Sequence, residues 1–210
     1  MAITYPRTDL FTGRGFNQLI FNTLSRQELS RTAGGVTLGK DLGPALWVAE
    51  WISVPEDQVD VVELEAKLRS LDGVIGAFTA YDRRRPYPKA YPSGAFTDSG
   101  KIAGVQSPKA LTLKGLPAGF VISVGDYFMF DYGSSPSNRA LHQASEAVTA
   151  DGAGNTPSFE VRPQLRGAVV DLDVKFKLAS AVFHLQEPFA PQVQQIVLGQ
   201  VSIKAMQVIL

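Results

Sequence analysis

Apolar residues alternate with polar ones along most of this chain, and glycine or proline interrupts the alternation at short intervals. The 210 residues include 19 glycines and 13 prolines, spread as turn signals rather than gathered in low-complexity tracts. A period of two is typical of β-strands, because successive side chains of a strand point to opposite faces of a sheet. The pattern therefore predicts a mainly β protein with many turns.

The most regular alternation lies at residues 171–178. Its apolar residues share one face, and four charged residues occupy the other; the apolar ones are Leu172, Val174, Phe176 and Leu178. This predicts a strand with one face on a core and one face in water. Five or six such short strands in the second half of the chain indicate a small barrel or sandwich.

One segment, residues 55–71, has the period of a helix. Its apolar residues recur at spacings of three, four and three: Val61, Leu64, Leu68 and Leu71. That spacing places them in a single stripe along a helix. Strands are predicted at 19–25, 36–40 and 45–54, and the last is apolar on both faces. We expect the helix to cover one of those faces.

Composition argues against most chemistry. The chain has no cysteine, which excludes disulfides, thiolate zinc sites, iron–sulfur clusters and cysteine nucleophiles. Its two histidines, His142 and His184, are too few for an imidazole metal cluster, and neither has a partner positioned by sequence. We therefore expect no catalytic residue, no cofactor and no metal. No apolar run approaches the roughly 20 residues of a membrane helix, so no membrane partner is expected.

One stretch concentrates basic and aromatic residues. Residues 82–104 carry a local charge of +3, and the candidate interface residues within them are Arg83, Arg84, Arg85, Tyr87 and Tyr91. Arginine and tyrosine are enriched at protein interfaces, and they also stack on bases and contact phosphates. A solvated linker and a protein interface both remain open. A nucleic-acid partner is disfavoured, because 20 basic residues balance 20 acidic ones and no basic stripe is present.

The sequence stops on apolar residues. Ile209 and Leu210 follow an alternating segment, whereas chain ends in water are usually polar and frayed. Apolar side chains at such a place must be buried in the fold or against another subunit. Both residues are therefore candidate interface residues.

Several motifs of the sequence resemble motifs of the tail proteins of long-tailed bacteriophages. In the first half they are QELSRTAGG (27–35), KDLGP (40–44) and AFTAYDRRRPYP (77–88); in the second half they are GLPAG (115–119), GDY (125–127), RALH (139–142), TADGAG (149–154) and VRPQLR (161–166). The size and the strand–helix–strand pattern are most similar to distal tail proteins. That resemblance implies a ring, usually of six copies, which joins the tail tube to the tip or baseplate.

The resemblance also implies an organisation. We expect a hub domain, a β-sandwich or barrel with one helix, formed by residues 1–95 and 187–210, and an inserted OB-like barrel formed by residues 96–186. The expected partners are further copies of the chain, the tail tube protein and other tip proteins, in a virion assembled in the bacterial cytoplasm. Two alternatives remain. One is a module that binds a host carbohydrate or receptor through exposed aromatic residues; the other is a hydrolase, which needs a histidine joined to a carboxylate in a pocket.

Overall fold

The chain folds mainly into β-strands, with one α-helix among the described residues, and the predicted fold class is confirmed. The structure is a computed structural model that describes residues 3–133, 138–193 and 198–209. In chain order the elements are β1 (Phe16–Arg31), β2 (Thr37–Ser53), β3 (Glu56–Asp57), α1 (Gln58–Arg69), β4 (Phe78–Tyr81), β5 (Lys101–Ser107), β6 (Ala110–Lys114), β7 (Val121–Ile122), β8 (Tyr127–Tyr132), β9 (Asn138–Ala144), β10 (Val148–Thr149), β11 (Phe159–Arg162), β12 (Ser180–Leu185), β13 (Ala190–Val193) and β14 (Leu198–Gln207). Within the described ranges, no helix has the length and apolar character needed to cross a membrane.

Two compact units divide the described residues. The first lies within 1–23, 47–80 and 181–209, and the second within 24–46 and 81–180. The division into residues 1–95 with 187–210 and residues 96–186 stays a prediction.

The first unit is organised around a sheet with strand order β1-β2-β14-β12-β4. The strand β14 lies in the middle, and it also pairs with the short strands β3 and β13. Ala205 of β14 pairs with Ala49 on one side and with Leu185 on the other. The core beside this sheet is aromatic: the Trp51 ring lies 5.0 Å from the Phe11 ring. Burial of these large rings removes a large apolar area from water and so stabilises this unit.

The helix α1 carries the predicted stripe, and the stripe faces the core. Three residues of the stripe lie within α1 and are buried: Val61, Leu64 and Leu68. The fourth, Leu71, is buried as well but follows the end of the helix. The helix packs on β14 and begins at Gln58, three residues later than predicted. Glu56 and Asp57 pair with β14 as strand β3 instead, so the backbone there is extended and cannot start the helix.

The second unit contains a small barrel. Its sheet has the order β5-β6-β11-β9-β8, and residues 171–175 join the two edge strands. On the β5 side, Val174 N donates to Gly100 O at 2.9 Å; on the β8 side, Met129 and Lys175 exchange backbone hydrogen bonds of 2.8 and 2.9 Å. Because both edges are hydrogen-bonded to one segment, the sheet closes on itself.

The prediction of a continuous strand at 171–178 is wrong. The segment forms only isolated bridges to β5 and β8, and its ends, Asp171 and Leu178, have φ values of 65° and 49°. The predicted alternation holds for Val174 and Phe176, which are buried in the barrel, whereas Leu178 is exposed. A segment that bonds to two different strands in turn keeps the alternation but forms no continuous ladder.

Candidate interaction surfaces

The basic segment after β4 is packed against the barrel of the second unit. We call residues 82–98 the arm. The Tyr91 ring stacks on the Phe120 ring, with centroids 4.7 Å apart and an interplanar angle of 13°. The Tyr91 hydroxyl oxygen accepts a hydrogen bond from the backbone of β7 at 3.1 Å, and Pro86 O accepts one from Leu178 N at 2.9 Å. The arm is therefore a fixed part of this unit.

A buried carboxylate holds the middle of the arm. Asp126 is fully buried, and one of its oxygens accepts hydrogen bonds from Arg85 Nη1 at 2.6 Å and from Lys89 N at 2.9 Å. The other oxygen accepts one from Ser123 N at 2.8 Å. Burying a charge is tolerated only when it is paired and hydrogen-bonded, and these three donors satisfy that condition.

Arg85→Ala is expected to lower the free energy of unfolding of the second unit by about 1.5–3 kcal/mol, because it removes a hydrogen bond between charged groups and leaves Asp126 buried. Five of the six tyrosines lie in this unit, so near-ultraviolet circular dichroism during a urea titration follows its unfolding. The matched control is Arg162→Ala, whose ion pair with Glu160 is exposed on both sides and should contribute under about 1 kcal/mol. Equal unfolding midpoints for the two variants would contradict the expectation.

The other two arginines of the arm, Arg84 and Arg83, each contact another residue of the second unit. Arg84 Nη2 donates to the buried carboxylate of Asp82 at 2.8 Å, and the Tyr127 hydroxyl donates to the same carboxylate at 3.0 Å. Burial, followed by the Asp82 charge, raises the pKa of Tyr127 well above its usual range, so its hydroxyl stays a donor. The Arg83 guanidinium lies 6.0 Å from the centroid of the Tyr81 ring.

Tyr87 is also fixed within the arm. A Cβ at Gly94, where φ is +70°, would lie 2.8 Å from the Tyr87 ring, so the ring rests directly on the glycine backbone. Every described aromatic side chain of the second unit is buried or half-buried. At the other predicted position, Ile209 is 43% exposed, and Leu210 lies outside the described residues. The role of all these residues as an interface stays a prediction.

Neither histidine is joined to a carboxylate by a hydrogen bond in the described residues. His142 is buried in β9, where its ring stacks on Phe130 at 5.3 Å and Nδ1 donates to Pro163 O at 2.7 Å. Its Nε2 has no partner, and burial lowers the pKa of the ring to about 4. His184 is half-buried in β12, and burial lowers its pKa as well. No group of three or more metal-ligating side chains occurs within the described ranges.

The distal parts of β1 and β2 form an exposed ribbon, which is longer than the strands predicted at 19–25 and 36–40 and was not predicted as a site. Every residue from 24 to 42 is exposed, and we call this segment the hairpin. Its large apolar residues are between 48% and 64% exposed: Leu24, Leu29, Val36, Leu38 and Leu42. The turn is closed by Thr32 N donating to Val36 O at 2.9 Å. The Gly34-Gly35 pair between the two predicted strands is the signal that predicts such a turn.

The base of the hairpin is fixed within the second unit. Arg166 Nη2 donates to Pro44 O at 3.2 Å and to Ala45 O at 2.9 Å. The side chain is half-buried, and this burial lowers the pKa of its guanidinium. Because one arginine holds two carbonyl oxygens, the backbone at residues 44 and 45 is fixed to this unit.

An apolar cavity of about 350 Å³ lies in the first unit at the end of α1. We call it the helix-end pocket. Its apolar lining comes from the helix, the turn after it and the chain between β12 and β13: Leu68, Val74, Leu185, Pro188 and Phe189. Arg69 also lines it, with its guanidinium 5.8 Å from the Phe189 ring centroid. Val74 is 57% exposed, so the pocket is accessible from solvent.

Comparisons with family models and with curated proteins identify no relative of this chain.

Proposed function

We propose that this chain is a structural protein of a bacteriophage tail, and that copies of it form a ring, most simply of six, between the tail tube and the tail tip. Its partners are then other copies of the chain, the tail tube protein and other tip proteins, and its location is the virion. The proposal assigns no catalytic residue, cofactor or metal. The motifs that resemble distal tail proteins suggest this function.

The observation that carries the proposal is the hairpin. A two-stranded ribbon without a core is marginally stable in water, and an exposed strand edge invites pairing with another chain. Residues 24–42 nevertheless form ordered strands, and five large apolar side chains are exposed on them. Leu24 and Leu29 are five residues apart on β1, so they project from opposite faces and the ribbon exposes apolar side chains on both sides. Grouped exposed apolar side chains are typical of interaction sites. A ring of copies supplies a neighbour for each hairpin.

The mass of the purified protein tests the proposal. At rising concentration, native mass spectrometry should show a closed species at a multiple of the 22.7 kDa chain mass, six for a hexamer, and electron microscopy should show rings. A chain that stays at the mass of one copy at every concentration overturns the proposal.

A charge on the hairpin should abolish the ring. Leu38→Asp places a carboxylate where the proposal requires an apolar contact, and burying an unpaired charge is strongly unfavourable. The matched control is Val170→Asp, because Val170 is 52% exposed in the second unit and Leu38 is 55% exposed. We expect Val170→Asp to keep the ring. Loss of the ring in both variants, or in neither, contradicts a specific role of the hairpin.

A further inference from the structure

The chain contains two Asp-Gly steps, at residues 72–73 and 151–152. Glycine has no Cβ, so nothing at this residue hinders the approach of its amide nitrogen to the preceding carboxyl group. Attack by that nitrogen closes a five-membered succinimide ring. Both aspartates are exposed, so sequence and exposure alone do not distinguish the two steps.

The step at residues 151–152 is held by hydrogen bonds. One carboxylate oxygen of Asp151 accepts hydrogen bonds from Ala153 N at 2.9 Å and from Asn155 N at 2.8 Å, and the Asp151 carbonyl oxygen accepts one from Gly154 N at 3.0 Å. The hydrogen bond from Asn155 N, above all, keeps the pKa of Asp151 below its ordinary value. The carboxylate is therefore fixed in place, and a smaller fraction of it is in the protonated form that reacts.

The step at residues 72–73 has no such constraint. Within the described residues, the Asp72 carboxylate forms no hydrogen bond or ion pair, and neither the Asp72 carbonyl oxygen nor the Gly73 amide has a hydrogen-bond partner. Residues 72–75 are all exposed. The peptide group between Asp72 and Gly73 can therefore rotate towards the carboxyl group without breaking a hydrogen bond.

We propose that Asp72 is a modification site, at which the folded chain forms isoaspartate through a succinimide with Gly73. The Gly73 amide nitrogen attacks the carboxyl carbon of protonated Asp72; the nitrogen loses its proton and the carboxyl group loses hydroxide, so one water leaves. Water then adds to either carbonyl of the ring. Addition at the side-chain carbonyl restores aspartate, and addition at the backbone carbonyl gives isoaspartate, in which the chain continues through the side chain.

Isomerisation would change the turn that follows α1. Gly76 N donates to Leu71 O at 2.7 Å and closes this turn, and the Leu71 side chain is buried. Isoaspartate adds one methylene to the backbone between the two ends of this hydrogen bond, while the mass of the chain stays the same. We therefore expect the exposed surface at residues 72–75 to change as the protein ages. This inference is independent of the proposed function.

Isoaspartate formation in the folded and the unfolded protein tests the inference. After incubation near neutral pH, trypsin releases the two steps in different peptides, residues 70–83 and 140–166, and chromatography separates each isoaspartyl form at unchanged mass. In the folded protein we expect isoaspartate to accumulate at least about tenfold faster in peptide 70–83, because the other step must first lose its hydrogen bonds. In guanidinium chloride the two rates should agree within about twofold, because those hydrogen bonds are absent.

Asparagine variants give a matched pair with a change in mass. Asp72→Asn and Asp151→Asn close the same ring with loss of ammonia, and the oxygen of the amide at residue 151 can still accept both hydrogen bonds. We expect Asp72→Asn to deamidate at least about tenfold faster than Asp151→Asn in the folded protein. Equal rates at the two steps in the folded protein, or a faster reaction at residues 151–152, overturn the inference. A step at residues 72–73 that reacts only in guanidinium chloride overturns it as well.

Discussion

Replacing Leu64 by alanine is expected to lower the free energy of unfolding of the first unit by about 2–5 kcal/mol. Leu64 has no exposed surface and lies on the face of α1 that packs against the sheet. The shorter side chain leaves a cavity that the surrounding core fills only in part. Both tryptophans of the chain, Trp47 and Trp51, are buried in this unit. Tryptophan fluorescence during a urea titration therefore measures the effect.

The matched control is Val59→Ala on the same helix. Val59 is 81% exposed, so its truncation removes little buried surface and should change the free energy of unfolding by under about 0.5 kcal/mol. Indistinguishable midpoints for Leu64→Ala and Val59→Ala would show that the helix presents a different face to the core.

Acidification is expected to destabilise the barrel through His142. In the folded barrel burial lowers the pKa of His142 to about 4, whereas the unfolded chain has the ordinary value of 6.5. Above pH 6.5 the ring is neutral in both states, and the full stability is present. Between pH 6.5 and 4 the unfolded chain binds a proton that the folded barrel excludes, so the barrel loses about 3 kcal/mol.

The groups around His142 explain why the barrel does not accept this proton. Nδ1 already donates to Pro163 O, and Nε2 faces no acceptor in the described residues. The Arg166 charge disfavours the imidazolium further. A protonated Nε2 would be a buried donor without a partner, which is costly.

His142→Gln isolates this effect from the titration of carboxylates. Its amide can still donate to Pro163 O, and it has no proton to gain in this pH range. As the pH rises, barrel peptides of the parent protein should exchange hydrogen more slowly, after correction for the intrinsic exchange rate. In the variant this slowing should be smaller. Peptides from the first unit serve as an internal reference. Identical pH profiles for the barrel peptides of the two proteins would refute the assignment.

Sequence periodicity predicted the fold where one element packs on one neighbour. The stripe on α1 is the clearest case, because a helix that meets a single sheet needs one apolar face. The segment 171–178 shows the limit. Its alternation correctly placed Val174 and Phe176 in the core, but its hydrogen-bond partners are two separate strand edges. Periodicity contains no information on which strands meet, so the segment was predicted as an ordinary strand.

The candidate surfaces were predictable only in part. Arginine and tyrosine content identified the arm, but the carboxylate that holds Arg85 is Asp126, far away in sequence, and no local pattern links the two. The hairpin was predicted as two short strands, because residues 26–31 mix charged and apolar side chains without a buried face. All residues of the hairpin are exposed, so no buried face requires apolar residues at every second position of its sequence.

The central position of β14 has a consequence for how the protein is made. A ribosome completes β2 long before β14, yet Ala49 of β2 pairs with Ala205 of β14. The segments of the second unit described above end at residue 180, so this unit can close while β14 is still to be synthesised. The first sheet lacks its middle strand throughout that interval, so β2 has no partner on the side that β14 later occupies. Unpaired apolar strands are prone to aggregate, so this interval of synthesis is the most vulnerable stage in producing the protein.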